Sequence, residues 1–222
     1  MARYILIVAL VVLGVAGCSG SPPSPTPSSV AASLSSASPS SASPSPRPSR
    51  SRVVPSSSAV PVVAPTVPPD VPRTGPNMRP GEKPPVMPVA ATRHDPAGAK
   101  AFAEFFIRTI DWGFATLNGA YIRHYATSSC VGCLSFADGM DADKRLARRY
   151  IGGRIAVTST RLLKYDRLDA LIVVTFDQQS YEKTESSGSL VDADQAHRGV
   201  RFEVSLGWAG GWRVSVLAVI AQ

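Results

Sequence analysis

From Ser19 to about Ala90 the chain is written almost entirely in Ser, Pro, Ala and Val, lacks aromatic residues, and shows neither a helical nor a strand hydrophobic period. Such a stretch cannot bury enough apolar surface to offset the entropy of ordering it, so it is expected to be a disordered tether. Its prolines bias it toward extended polyproline II, and at about 3.1 Å per residue about 70 residues reach on the order of 200 Å at most. Folding is thereby confined to residues 91–222, a length at which one core buries roughly two-thirds of the surface that the unfolded chain exposes. One domain is expected there.

Ahead of the tether, Arg3 supplies a positive n-region and the run from Tyr4 through Val12 an apolar segment, which is a signal-peptide pattern over residues 1–17. The run is shorter than the roughly 20 apolar residues that a membrane-spanning helix needs. It ends in Val15-Ala16-Gly17-Cys18, which resembles the lipobox of bacterial lipoproteins. That resemblance implies a diacylglyceryl thioether on the Cys18 sulfur and cleavage just before it. Two acyl chains, each contributing about 0.8 kcal/mol per buried methylene, suffice for stable anchoring. The expected location is the extracytoplasmic face of a membrane, with membrane lipid as the first partner.

Charge is unevenly divided. Of the 23 Lys and Arg, seven precede residue 91 with only two of the 16 acids, so the later residues carry a net charge of just +2. The basic character belongs mostly to leader and tether, and nucleic-acid binding is not expected.

Within residues 91–222, Asp95-Pro96 reads as an N-cap followed by proline at the first helical position. Phe102, Phe105, Phe106, Ile110, Phe114 and Leu117 then share one stripe, opposite Lys100, Glu104, Arg108 and Asp111. Asn118-Gly119 ends this helix, Ala120 to Ala126 reads as one or two further helical turns, and a third helix is expected from about Leu134 to Tyr150. Past Gly152-Gly153 the period changes to two. Arg154 to Tyr165 and Ala170 to Tyr181 are two strands joined by Asp166-Arg167-Leu168-Asp169. Val200 to Trp208 and Trp212 to Ile220 form a hairpin across Gly210-Gly211, with Trp208 and Trp212 as a cross-strand pair. The polar stretch Lys183 to Ala196 is expected to be a long mobile loop. Helices first and an antiparallel meander afterwards make an α+β domain, its N-terminal helices packed on a curved four-stranded antiparallel sheet.

The lipobox, the Ser/Pro-rich spacer, the helix Ala101-Phe102-Ala103-Glu104-Phe105-Phe106-Ile107-Arg108, the following Ser129-Cys130-Val131-Gly132-Cys133 and the four C-terminal strands together resemble a family of uncharacterised actinobacterial lipoproteins without assigned function. That family is similar in layout to the nuclear transport factor 2-like superfamily, whose cone-shaped α+β folds include ketosteroid isomerases, polyketide cyclases and many non-catalytic binding domains. The resemblance implies a fold and a location, and function by analogy alone.

With Cys18 lipidated, two of the three cysteines remain in an oxidising compartment, and a Cys130–Cys133 disulfide is the natural pairing. A redox role is the alternative, since Cys130 falls near the start of the third helix, where partial positive charge lowers a thiol pKa. Zinc is the third option and would need two ligands beyond these thiolates, with only His124 close in sequence. Should the cone hold a catalytic pocket, Tyr121 and His124, with Asp138 on the next helix, are the candidates: a tyrosine donor to an oxyanion and an Asp or His base. No phosphate-cradling glycine loop, nucleophile triad context or paired metal-ligand motif occurs, so no cofactor or metal is expected. Two functions follow. The first is a membrane-anchored domain, non-catalytic, that binds an envelope protein, a wall polymer or a small apolar ligand; the second is a small isomerase, cyclase or dehydratase.

Overall fold

A computed structural model of the protein describes residues 64–220. The signal peptide expected at 1–17, the lipidation expected at Cys18 and the part of the expected tether up to residue 63 lie outside the described residues.

Helix α1 (Pro96–Thr116) starts where expected: the Asp95 carboxylate accepts from the Gly98 N–H at 2.6 Å, with proline inside the first turn. It stops at Leu117, whose backbone is left-handed at φ 48°. A branched side chain is disfavoured there, and Leu117 is held by burial against Tyr150 and Tyr181. Helix α2 (Ala120–Tyr125) follows at once, then α3 (Val131–Arg145). Gly119 lets α2 start hard against α3, since a Cβ there would stand 2.5 Å from the Ala137 Cβ.

The third helix ends earlier than its composition suggested. It stops at Arg145, and Arg149–Gly152 is a strand, β1. The remaining strands are β2 (Ile155–Tyr165), β3 (Asp169–Gln178), β4 (Tyr181–Thr184), β5 (Leu190–Asp194), β6 (His197–Trp208) and β7 (Trp212–Ile220). Strands β2-β3-β6-β7 form the curved antiparallel sheet, and β1-β4-β5 form a second, smaller one. The expected mobile loop at 183–196 is therefore corrected. Strands β3 and β6 continue through β4 and β5 as one long hairpin, which bends near Gln179 and near Gln195 and closes through a tight turn with Glu185 N–H bonded to Ser189 O at 2.9 Å. Register shifts in β2 between Val157 and Ser159 and between Leu162 and Lys164 mark bulges, which bend and twist a strand.

The core lies between α1 and the concave face of the larger sheet. Phe102, Phe106 and Ile110 from the helix meet Ile172, Val174 and Phe176 from β3, Phe202, Val204 and Leu206 from β6, and Val214 and Leu217 from β7, all buried. Each such side chain contributes about 1.5–3 kcal/mol by leaving water. Trp208 and Trp212 face each other across the β6–β7 register with ring centroids 5.0 Å apart, the expected cross-strand pair.

Packing begins well before residue 91. Residues 64–92 form a strap that runs along α1, turns, and returns to the start of that helix. Val71 is only 3% exposed and belongs to the core. The Trp112 indole N–H donates to Pro72 O at 3.0 Å. Asn77 is used three ways: its N–H donates to Ala115 O at 3.1 Å, its side-chain NH₂ to Phe114 O at 2.8 Å, and its side-chain oxygen accepts from the Tyr150 N–H at 2.9 Å. A proline-rich segment makes such contacts without a ladder because its own carbonyls remain available as acceptors. The compositional boundary near residue 90 thus falls inside the folded unit.

Candidate functional site

The interior of the cone is filled by aromatic rings. Phe102 and Phe105 meet Tyr125 edge-on at 5.8 and 5.2 Å between centroids, Phe105 meets Tyr121 at 5.9 Å, and Phe176 meets Phe202 at 4.9 Å. A small cavity of about 10 Å³, lined by Asn77, Phe114, Tyr150 and Tyr181 among others, holds at most one water.

The three candidate catalytic residues do not converge. Tyr121 is 1% exposed, its ring is in the core, and its hydroxyl donates to Pro85 O. Burial, and secondarily the neighbouring Tyr125, push that hydroxyl above the usual tyrosine range, so it stays protonated and committed to the strap. His124 is exposed and meets the Tyr125 ring edge-on at 4.7 Å. Asp138 is 72% exposed on α3 and pairs with Arg123 at 2.6 Å, an arginine that also holds Asp141 at 2.7 Å. Tyr121 and His124 lie one turn apart, but α2 is a single short piece at the edge of the core, and its inward and outward sides separate the two.

The Cys130 and Cys133 sulfurs lie at 2.06 Å, disulfide distance, and both residues are 0% exposed. Cys130 caps α3, its sulfur accepting from the Cys133 N–H at 3.3 Å. Between them Gly132 packs on β7, where a Cβ would stand 2.1 Å from Leu217 O. Thiol exchange needs a nucleophile to reach a sulfur, and burial denies that access. In the native protein, reductant with iodoacetamide is therefore expected to label neither cysteine until denaturant is added; ready labelling without denaturant would show that the pair is exchangeable. Among the described residues, no group of three or more His, Cys, Asp or Glu gathers as a metal-ligand set.

A cleft of about 340 Å³ opens on the surface where three segments meet. The strap contributes Glu82, Lys83 and Pro85, α1 contributes Arg108, Asp111 and Trp112, and Arg154 with the first residues of β2 supplies Ile155, Ala156 and Val157. At its back the Arg154 guanidinium bridges two carboxylates. It donates to Asp111 from Nε at 3.0 Å and Nη2 at 2.5 Å, and to Glu82 from Nη1 at 2.9 Å and Nη2 at 2.5 Å. The Asp111 hydrogen bond holds Arg154 more firmly protonated than usual, against the opposing effect of burial. Arg154 in turn draws the Glu82 carboxyl below its ordinary range, again against burial. The sequence offered little sign of this cluster: Glu82 sits among prolines in what reads as tether, and Asp111 looks like one more polar residue on the outer face of α1.

No family model matches the chain, and no curated protein matches it. Among solved structures, the intermembrane space region of the chloroplast protein ARC6 is 14% identical with a TM-score of 0.42, covering 59% of this chain and 99% of that one. Aln2 from a Streptomyces species is 11% identical with a TM-score of 0.32, covering 55% of this chain and 85% of that one. A Novosphingobium aromaticivorans protein provisionally assigned as the beta subunit of an aromatic-ring-hydroxylating dioxygenase is 12% identical with a TM-score of 0.31, covering 55% and 88%. At these values the likenesses bear on neither substrate nor partner.

Proposed function

We propose that the protein is a lipid-anchored lipoprotein of the cell envelope whose folded part, of the nuclear transport factor 2-like type, is a non-catalytic binding or accessory domain. The observation that carries the second half is the filled cone. The Tyr121 hydroxyl that an isomerase-type site would aim at an oxyanion is buried and bonded to Pro85 O, while Asp138 sits in an exposed ion pair. The anchor rests on Val15-Ala16-Gly17-Cys18. An envelope protein, a wall polymer or a small apolar ligand fits such a domain as partner.

The test uses the whole chain. Wild-type protein expressed in a bacterial host is expected in the detergent phase of a phase-partition assay, and Cys18→Ala in the aqueous phase or stalled as precursor; equal partitioning of the two would sink the anchor. The released Cys18→Ala chain is expected to bind isolated envelopes saturably, and linear, non-saturable uptake would sink the binding role.

A further inference from the structure

We infer that the cleft beneath the strap is a binding site for an organic anion, a carboxylate or phosphate carried on an apolar stem. The inference deepens the proposed binding role and rests on it. Every oxygen of Glu82 and Asp111 is already engaged: Glu82 Oε2 accepts from the Arg79 N–H at 3.0 Å as well as from Arg154, and Asp111 Oδ1 accepts from the Ile155 N–H at 2.9 Å as well as from Arg154. Both carboxylates thus have every oxygen engaged, sharing one guanidinium, and have no free acceptor oriented for a cation.

Donors remain in excess. Lys83 is exposed and makes no hydrogen bond or ion pair among the described residues, so its three N–H groups are uncommitted. Arg108 is held only through Nη2, by Glu104 at 2.5 Å, which leaves its other donors open. Arg154 uses four of its donors on the two carboxylates and keeps one hydrogen, on Nη1. Lys83, Arg108 and Arg154 line the space with Glu82 and Asp111, and Glu104 balances Arg108 from beside it, so the excess is one of uncommitted N–H donors, which an acceptor-rich anion satisfies through charge-assisted bonds. The rest of the wall is apolar: Pro85, Ile155 and Val157, all half-buried, give a stem something to lie against. A volume of about 340 Å³ falls at the small end of ligand pockets, which run from about 300 to 1,000 Å³.

Two sources present this chemistry, a soluble metabolite and a phospholipid headgroup, and the experiment separates them. The full chain in neutral detergent micelles is titrated with phenyl phosphate while the amide resonances of Ile155, Ala156 and Val157 are followed. Saturable shifts are expected, with affinity falling about tenfold or more in Lys83→Glu and holding within about threefold in Lys83→Arg, since a point charge in place is what the site uses. Lys83 is exposed on the strap, so both variants keep the fold. In a second arm, vesicles of phosphatidylcholine with and without phosphatidylglycerol are added to the Cys18→Ala chain. A Lys83-dependent response confined to the anionic vesicles assigns the site to lipid, and a response to phenyl phosphate alone assigns it to a soluble anion. No response in either arm, or a Lys83→Glu chain that binds as wild type does, overturns the inference while leaving saturable envelope binding to stand or fall separately. Turnover of phenyl phosphate would instead overturn the non-catalytic reading.

Discussion

A chain begun at residue 90, where the Ser/Pro composition ends, is expected to be largely unfolded at 25 °C, while one begun at residue 64 melts cooperatively. The difference is the strap. Without it Val71 no longer covers the core, and the Trp112 indole, the Tyr121 hydroxyl and the Tyr150 N–H lose Pro72, Pro85 and Asn77 as acceptors. Each buried donor left without a partner costs about 1–3 kcal/mol. Arg154 also loses one of its two carboxylates. Together these exceed about 5 kcal/mol, comparable with the whole stability of a typical domain at about 5–15 kcal/mol. Circular dichroism melts and amide dispersion of the two chains decide it; equal melting temperatures would show that the strap is an ornament on an independent fold.

Asp143→Asn is expected to be the most damaging single substitution among the charged residues, lowering stability by about 3–5 kcal/mol. Asp143 is 7% exposed on α3 and holds the second sheet to the helices: it pairs with Arg148 at 2.8 Å and Lys183 at 3.4 Å, and accepts from the Tyr150 hydroxyl. Lys183 is itself buried and lies over the Tyr150 ring, so removing the carboxylate strands a cation in an apolar setting. Burial raises the Asp143 carboxyl, but the hydrogen bonds from Tyr150 and Arg148 and the charges of Lys183 and Arg148 outweigh it, and the net shift is downward. A folded-state value below the unfolded one means stability that is fully present above the ordinary aspartate range, near pH 4, and lost as pH falls through the folded value. Wild-type stability should therefore fall on acidification below about pH 4, and the Asp143→Asn chain should have lost that part of the dependence. At roughly 2–4 °C per kcal/mol for a chain of this size, the melting temperature at neutral pH drops by about 10 °C. Asp138→Asn, which breaks an exposed pair, serves as control at about 0–1 kcal/mol. Equal melting of the two variants would refute the role given to the buried network.

These two regions are also where the sequence was least informative. The long helix, its cap at Asp95 and the β6–β7 hairpin were visible because each buries an apolar stripe of the right period, and the α+β layout followed from their order. The second sheet has no such stripe. The register that joins its three strands at mid-length is Tyr150, Lys183 and Asp192, an inner face made of a ring and two charges, so β4 and β5 read as a polar loop and β1 as the tail of an amphipathic helix. The strap was hidden for a related reason. Its contacts are made by carbonyls and by isolated side chains such as Val71, Asn77 and Glu82, none of which leaves a period. The cleft draws on segments near residues 82, 111 and 154, and no local motif spans that distance.

The clasp also sets an order of events for a chain that emerges from its N-terminus. Pro72 finds Trp112 40 residues later, Asn77 finds Tyr150 73 residues later, and Arg79 reaches Gln179 100 residues later at 3.3 Å. Arg93, the residue just after the strap, accepts through its carbonyl from the Trp212 indole 119 residues on. Contacts of such separation close slowly because the loop entropy comes before the reward. The segment made first is thus fastened among the last, and the domain has no finished N-terminal half that could lock while the rest is still being delivered.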